Sequence, residues 1–197
     1  MTEAAESGSR SRTRRAILDA AVVVFTQRRT ASLGDVAAEA KVARSTLHRY
    51  FADRAELVNA IADDVLVAIE QAIEDAAVDE GSPQEALRRL SAGYFNLGPR
   101  IFFLFNEPTF NRPDPPPEVE RFWQRLEEVG KPVERLIERG HRDGVFAPGL
   151  SVSWIIRVLW WLVYIGWEAV EEGDLPRLGA PATILQTLEH GILTRER

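Results

Sequence analysis

The sequence lacks cysteine altogether and has only three histidines among its 197 residues. Without cysteine there can be no disulfide, no thiolate metal site and no cysteine nucleophile. His48, His141 and His190 show no metal-binding spacing, and no G-x-S-x-G, P-loop or paired-carboxylate pattern is present. We therefore expect no enzyme, no metal site and no cofactor.

The sequence also lacks a long uninterrupted apolar run. Its first fifteen residues are polar and do not resemble a signal peptide. The most apolar stretch, residues 152–170, is interrupted by Arg157 and Glu168 and is barely long enough to cross a bilayer. We expect no membrane partner and a cytoplasmic location, with which the absence of cysteine agrees.

Charge is divided unevenly along the chain. The net charge of −6 combines +4 over residues 1–54 with −10 over residues 55–197. A basic N-terminal quarter on an acidic body is typical of a DNA-reading unit attached to a regulatory domain.

Residues 32–54 have the pattern of two short helices joined by a tight turn. Leu33, Val36 and Ala37 recur at helical spacing before the turn, and Leu47 and Phe51 continue the apolar set after it. Such short helices must pack on each other, as in a helix-turn-helix unit. The outward positions of the second helix can all donate hydrogen bonds to a DNA groove: Arg44, Ser45, Thr46, His48 and Arg49.

The rest of the chain shows helical apolar spacing and capping boxes, with no strand pattern. We expect an all-α fold of about nine helices. A disordered tail over residues 1–10 precedes a three-helix DNA-binding domain over residues 11–54. A long helix from about Asp53 joins this domain to a larger helical domain over residues 55–197.

Two adjacent apolar helices close the sequence, and together they suggest a homodimer interface. A helix that is apolar all round is buried on all sides. One face can pack on the body while the other packs on a second subunit. The residues expected at this interface are Ile155, Leu159, Leu162, Ile184, Leu185 and Leu188.

The N-terminal motif resembles the signature of TetR-family transcriptional repressors. The resemblance covers about fifty residues and rests on the order Leu33, Val36-Ala37, Ala40-Lys41-Val42, Thr46-Leu47, Tyr50-Phe51, Leu57. Two positions depart from the family pattern. Lys41 replaces a glycine at a turn position that favours positive φ. Ala43 replaces a serine that caps the recognition helix.

The resemblance implies a set of DNA contacts. Base-edge contacts are expected from Arg44, Ser45 and Thr46, because arginine can pair with guanine and threonine can meet a thymine methyl. Phosphate contacts are expected from Ser32, His48, Tyr50 and Arg54, and Arg49 joins them as an outward donor.

The resemblance also implies a ligand pocket among the middle helices, which makes residues 55–197 a ligand-binding and dimerisation domain. The aromatic residues of this part favour a small, largely hydrophobic or aromatic effector, and aromatic rings also bind cations. The lining residues that we expect are Phe102, Phe105, Trp123, Trp161 and Tyr164.

The sequence thus predicts a ligand-responsive DNA-binding regulator, most simply a repressor. Because one short helix contacts only a few base pairs, we expect a homodimer on a pseudo-palindromic double-stranded operator. The alternative is a helical dimeric protein-interaction module that does not bind DNA, which the departures at Lys41 and Ala43 keep open.

Overall fold

The computed structural model describes residues 2–192, with side chains from Gly8 onwards. Within this range the chain forms nine α-helices and one short 3-10 helix, Pro108–Asn111, and no strand. The all-α prediction of about nine helices is confirmed. The helices are α1 Thr2–Gln27, α2 Leu33–Glu39, α3 Arg44–Tyr50, α4 Arg54–Asp75, α5 Pro83–Asn96, α6 Gly98–Asn106, α7 Pro117–Arg142, α8 Val152–Glu172 and α9 Ala180–Ile192.

The N-terminal end of the chain differs from the expectation. Helix α1 begins at Thr2 and so runs through most of residues 1–10, where we expected a disordered tail. This segment contains alanine and glutamate and no proline, so nothing in it prevents helix formation. Met1 of the expected tail and residues 193–197 of the expected second domain lie outside the described residues.

The chain divides into two compact units. The first unit comprises the residues up to Asp64 together with Phe103–Val119. The second unit comprises Val65–Phe102 and the residues from Glu120 onwards. The first unit is therefore larger than the predicted domain over residues 11–54, because it also includes the beginning of α4 and a segment from the middle of the sequence.

The core of the first unit is built from the apolar faces of its helices. Helix α1 contributes Ile17, Leu18 and Phe25, each almost fully buried. Val36 of α2 and Leu47 of α3 are completely buried, and α2 packs against both α1 and α3. The predicted packing of the short helices on each other and on a neighbour is thus present.

In the second unit, α8 lies close to α9 and α5. Trp167 of α8 donates a hydrogen bond from Nε1 to the carbonyl oxygen of Phe95 at 2.5 Å and stacks on the Phe95 ring. Gly98 is required beside this indole, since a Cβ there would lie 1.3 Å from Nε1. Helix α7 continues through Pro132, although a proline inside a helix removes one backbone hydrogen bond.

Among the described residues, none of the helices combines the length and apolar character needed to cross a membrane.

Candidate DNA-binding site

Helix α2 begins with a capping box formed by Ser32 and Asp35. The Asp35 N–H donates to Ser32 Oγ at 3.2 Å, and the Asp35 carboxylate accepts from the Ser32 backbone N–H and hydroxyl, each at 2.7 Å. These hydrogen bonds, chiefly the one from the Ser32 backbone, lower the pKa of Asp35 below its usual value. Ser32 is exposed, but its hydroxyl proton is already donated, so a phosphate contact would have to replace that bond.

The turn after α2 is closed by its backbone. Lys41 has φ of 55°. Its N–H donates to the Ala38 carbonyl at 3.1 Å, and the Val42 N–H donates to the Ala37 carbonyl at 3.0 Å. This is the Schellman pattern, in which glycine normally occupies the left-handed position. Lys41 therefore adopts the conformation that the family glycine would adopt.

Helix α3 begins without a side-chain cap. Ala43 is its N-cap residue, in an extended conformation, and it makes no capping hydrogen bond. The carbonyl of Ala43 accepts the backbone N–H of Leu47 at 3.0 Å. The Thr46 N–H donates to the same carbonyl at 2.9 Å, so only the N–H groups of Arg44 and Ser45 in the first turn are left for solvent or for another partner.

The predicted base and phosphate contacts lie together on α3. Arg44, Ser45, His48 and Arg49 are exposed, while Thr46 and Tyr50 are half-buried. Within residues 8–192, the side chains of Arg44, His48 and Arg49 make no hydrogen bond or ion pair. Because Leu47 is buried against the core, the opposite face of α3 points to solvent with these donors unused.

Arg54, which we expected to contact phosphate, is held inside the first unit. Its Nη2 donates to Oε2 of Glu107 at 2.9 Å, and its guanidinium lies 3.7 Å from the centroid of the Phe25 ring. This pairing was not predictable from the sequence, because Glu107 lies more than fifty residues further along the chain. Arg54 thus joins parts of the first unit instead of projecting freely from the start of α4.

The arginines in the middle of α1 differ in their surroundings. Arg15 forms two hydrogen bonds of 2.6 Å with the Asp64 carboxylate of α4. The guanidinium of Arg14 lies 5.8 Å from the centroid of Phe51, the residue that follows α3. Arg14 is exposed and close to the end of the recognition helix, whereas Arg15 is engaged within the unit.

A cavity of about 260 Å³ lies in the second unit. One of the five predicted ligand residues, Trp123, lines it, and the other lining residues are Ile69, Tyr94, Leu126, Glu127, Gly130, Val133, Glu134, Ile156 and Trp160. The rings of Tyr94 and Trp160 stack with centroids 4.4 Å apart. Burial raises the pKa of the Tyr94 hydroxyl, so the group stays neutral.

The other predicted ligand residues lie elsewhere. The ring of Phe102 stacks on Tyr164 at 5.3 Å, and Trp161 meets Tyr164 edge-on at 5.6 Å. Phe105 belongs to the first unit, where its carbonyl accepts a hydrogen bond from Asn111 Nδ2.

The sequence did contain a signal for the cavity that we missed. Positions 123, 127, 130 and 134 follow helical spacing and mark the side of α7 that lines the cavity.

Most of the predicted dimer-interface residues are buried within the chain itself. Ile155 and Leu159 of α8 and Ile184 and Leu188 of α9 are at most 4 % exposed, because the two helices pack closely in the second unit. Leu162 and Leu185 are half-buried. The apolar stripes thus form an intrachain core, which corrects the prediction for the four buried residues.

A different face of α8 is apolar and exposed. Trp154, Trp161 and Ile165 have exposed fractions of 52 %, 47 % and 51 %. They stand seven and four residues apart, so they follow one line along the helix.

In the part of the chain that the structure describes, no group of histidine and acidic side chains could hold a metal ion. The fold and the α2–α3 surface define a helix-turn-helix DNA-binding regulator. The comparisons with known proteins make this class more specific.

The sequence model of bacterial regulatory proteins of the tetR family matches residues 17–61. The HTH-type transcriptional repressor LfrR of Mycolicibacterium smegmatis is 38 % identical over 192 residues, or 98 % of this chain and 96 % of LfrR. The HTH-type transcriptional regulator NfxB of Pseudomonas aeruginosa is 27 % identical over 175 residues, or 89 % of this chain and 91 % of NfxB. The chain therefore belongs to the TetR family of bacterial regulatory proteins, and the resemblance inferred from the sequence is confirmed.

Solved structures agree with this assignment. The crystal structure of LfrR from Mycobacterium smegmatis in complex with proflavine has a TM-score of 0.71 at 35 % identity, covering 94 % of this chain and 99 % of LfrR. The ketosteroid transcriptional regulator KstR2 of Mycobacterium tuberculosis has a TM-score of 0.74 at 21 % identity, covering 92 % of this chain and 95 % of KstR2. At 21 % identity, the similarity to KstR2 shows the fold alone.

Proposed function

We propose that this protein is a ligand-responsive transcriptional repressor that acts in the cytoplasm and binds a pseudo-palindromic operator as a homodimer. The observation that carries the proposal is the outer face of α3, where exposed donors without partners stand opposite a fully buried Leu47. A short helix held rigidly on one side, with donors free on the other, suits the major groove.

The residues of this face contact different parts of the DNA, depending on their position along α3. Arg44, Ser45 and Thr46 lie in the first turn and contact base edges, as expected for the N-terminal residues of a recognition helix. His48, Arg49 and Tyr50 lie in the last turn and contact phosphates. Arg54 is omitted from this set because its Nη2 is bonded to Glu107 and its Nη1 is buried.

The homodimer forms through the exposed apolar line of Trp154, Trp161 and Ile165. Large apolar side chains that stand together in water are typical of an interaction site. A second copy of the chain is the occupant, because an operator with two half-sites needs two recognition helices. This interface uses α8, as expected, but a different face of it.

The effector is a flat aromatic cation that binds in the cavity of the second unit. Trp123, Trp160 and Tyr94 line the cavity with aromatic rings, and Glu127 and Glu134 add two carboxylates to the same lining. Aromatic faces and carboxylates both favour a delocalised cation. The relative LfrR, whose crystal structure contains proflavine, supports this chemistry.

A selection from random double-stranded DNA with the purified protein tests the proposal. We expect enrichment of one pseudo-palindromic sequence with half-sites about 34–36 Å apart, or a multiple of that distance. If no sequence were enriched at low salt while the protein remained dimeric, the alternative of a protein-interaction module would be correct.

A further inference from the structure

Glu107 is an unusual residue in this structure. It follows α6, and its side chain is only 8 % exposed. Among the described residues, it is the only charged residue that is buried. Burying a carboxylate is unfavourable unless a partner compensates for the lost hydration. Neither DNA contact nor effector binding explains why a charge is buried at this position.

Arg54 supplies the compensating charge. Its Nη2 donates to Oε2 of Glu107 at 2.9 Å, while Thr109 Oγ1 donates to Oε1 at 3.2 Å. Arg54 is the first residue of α4, and the dipole at a helix N-terminus disfavours a cation. The Glu107 carboxylate relieves this conflict. The Phe25 ring of α1, 3.7 Å from the guanidinium, provides a further favourable contact.

Two more contacts join the same segment to α1. The rings of Phe103 and Phe25 stack with centroids 6.1 Å apart. Asn106 Oδ1 accepts a hydrogen bond from Arg29 Nη2 at 3.1 Å. All these residues belong to the first unit. Residues 103–107 therefore hold the end of α1 and the beginning of α4 together.

The beginning of α4 is in turn firmly connected to the end of α3. Only three residues separate Tyr50 from Arg54, and one of them, Phe51, is buried. The Ala52 N–H donates to Glu56 Oε2 at 2.7 Å, and the Glu56 N–H donates to Asp53 Oδ1 at 2.8 Å. A shift of the first turn of α4 must consequently shift the end of α3.

We propose that Glu107 is a positioning residue for operator binding. Through Arg54 it fixes the first turn of α4 against α1, and through the short connection it fixes the angle at which α3 enters the groove. Glu107 itself touches no DNA. This inference rests on the proposed function and assigns to it a residue that lies far from the helix-turn-helix in sequence.

The variant Glu107→Gln tests the proposal, since it keeps the shape of the side chain and removes its charge. We expect operator affinity to fall about tenfold, within the usual range for coupling between distant groups. The slope of affinity against salt should stay that of the wild type, because no phosphate contact is lost. Asp114→Asn is the control: it makes the same charge change at an exposed position of the same unit and should not weaken binding.

Amide hydrogen exchange separates positioning from a general loss of stability. In Glu107→Gln, faster exchange should be confined to residues 103–111, α3 and the first turn of α4, while α8 and α9 stay as protected as in the wild type. Unchanged operator affinity, or faster exchange spread over the whole chain, would overturn the proposal. If the wild type selected no DNA at all, the proposed function would fail, and the exchange pattern would still decide whether Glu107 holds α4.

Discussion

Lys41 occupies a left-handed backbone conformation that a residue with a Cβ adopts at a cost of about 1 kcal/mol. The hydrogen bonds that close the turn involve only backbone atoms, so the lysine side chain is not needed for them. The position thus tolerates a residue that is unfavourable for the local geometry, because the surrounding helices determine the turn.

We expect Lys41→Gly to stabilise the protein by about 1 kcal/mol, since glycine adopts positive φ without steric cost. The measurement is the free energy of unfolding from urea denaturation. Lys41→Ala is the matched control, because it loses the same charge and keeps the strain. Equal stability of the glycine and alanine variants would contradict the prediction.

Arg44 and Arg49 allow base and phosphate contacts to be distinguished on the same helix. Arg44→Ala should weaken operator binding by about 1–3 kcal/mol and relax the preference at one base pair of each half-site. Arg49→Ala should weaken binding to all sequences and reduce the salt slope by about one. Binding titrations at several salt concentrations, with operator and scrambled DNA, measure both effects. Identical behaviour of the two variants would show that the assigned roles are wrong.

At the scale of single elements, α8 presents one apolar face to the chain and another to solvent. Ile155, Leu159 and Val163 are buried, whereas Trp154 and Ile165 are exposed. Apolar spacing in the sequence indicates that a face is covered, but it does not indicate whether the same chain or a second copy covers it. This ambiguity explains why four interface residues were predicted on the wrong face.

We expect Ile165→Glu to convert the dimer to a folded monomer, because it places a charge at the proposed interface without disturbing the core. Leu188→Glu should instead unfold the protein, since it buries a charge with no partner. Analytical ultracentrifugation and circular dichroism at matched concentrations measure the two outcomes. If the Ile165→Glu variant remained dimeric, the dimer interface would have to lie on another surface.

Helix α7 offers a test of the effector chemistry. Glu127→Gln and Glu134→Gln should each weaken binding of proflavine roughly tenfold, because each removes a negative charge from the lining of the cavity. Glu128→Gln is the control on the same helix, since Glu128 pairs with Lys131 and does not line the cavity. Isothermal titration calorimetry measures the affinities. Unaltered affinity in both cavity variants would exclude the proposed charge recognition.

At the scale of the whole molecule, the sequence was sufficient to predict the helices and the helix-turn-helix unit. Apolar spacing and capping boxes at Ser32 and Ser82 are local signals, and both boxes are present. The α3 donors were predictable because the turn fixes which side of a short helix is buried. The partners of Arg15 and Arg54 were not predictable, since Asp64 and Glu107 lie 49 and 53 residues away.

The assignment of Phe103–Val119 to the first unit has a practical consequence for building hybrid regulators. A hybrid that takes only the N-terminal residues from this protein would leave Phe25, Arg29 and Arg54 without the residues that contact them. The exchangeable part is therefore discontinuous. A working hybrid should need both residues 1–64 and residues 103–119 from the same parent. The recognition helix is then transferred together with the residues that hold α1 and α4 in place.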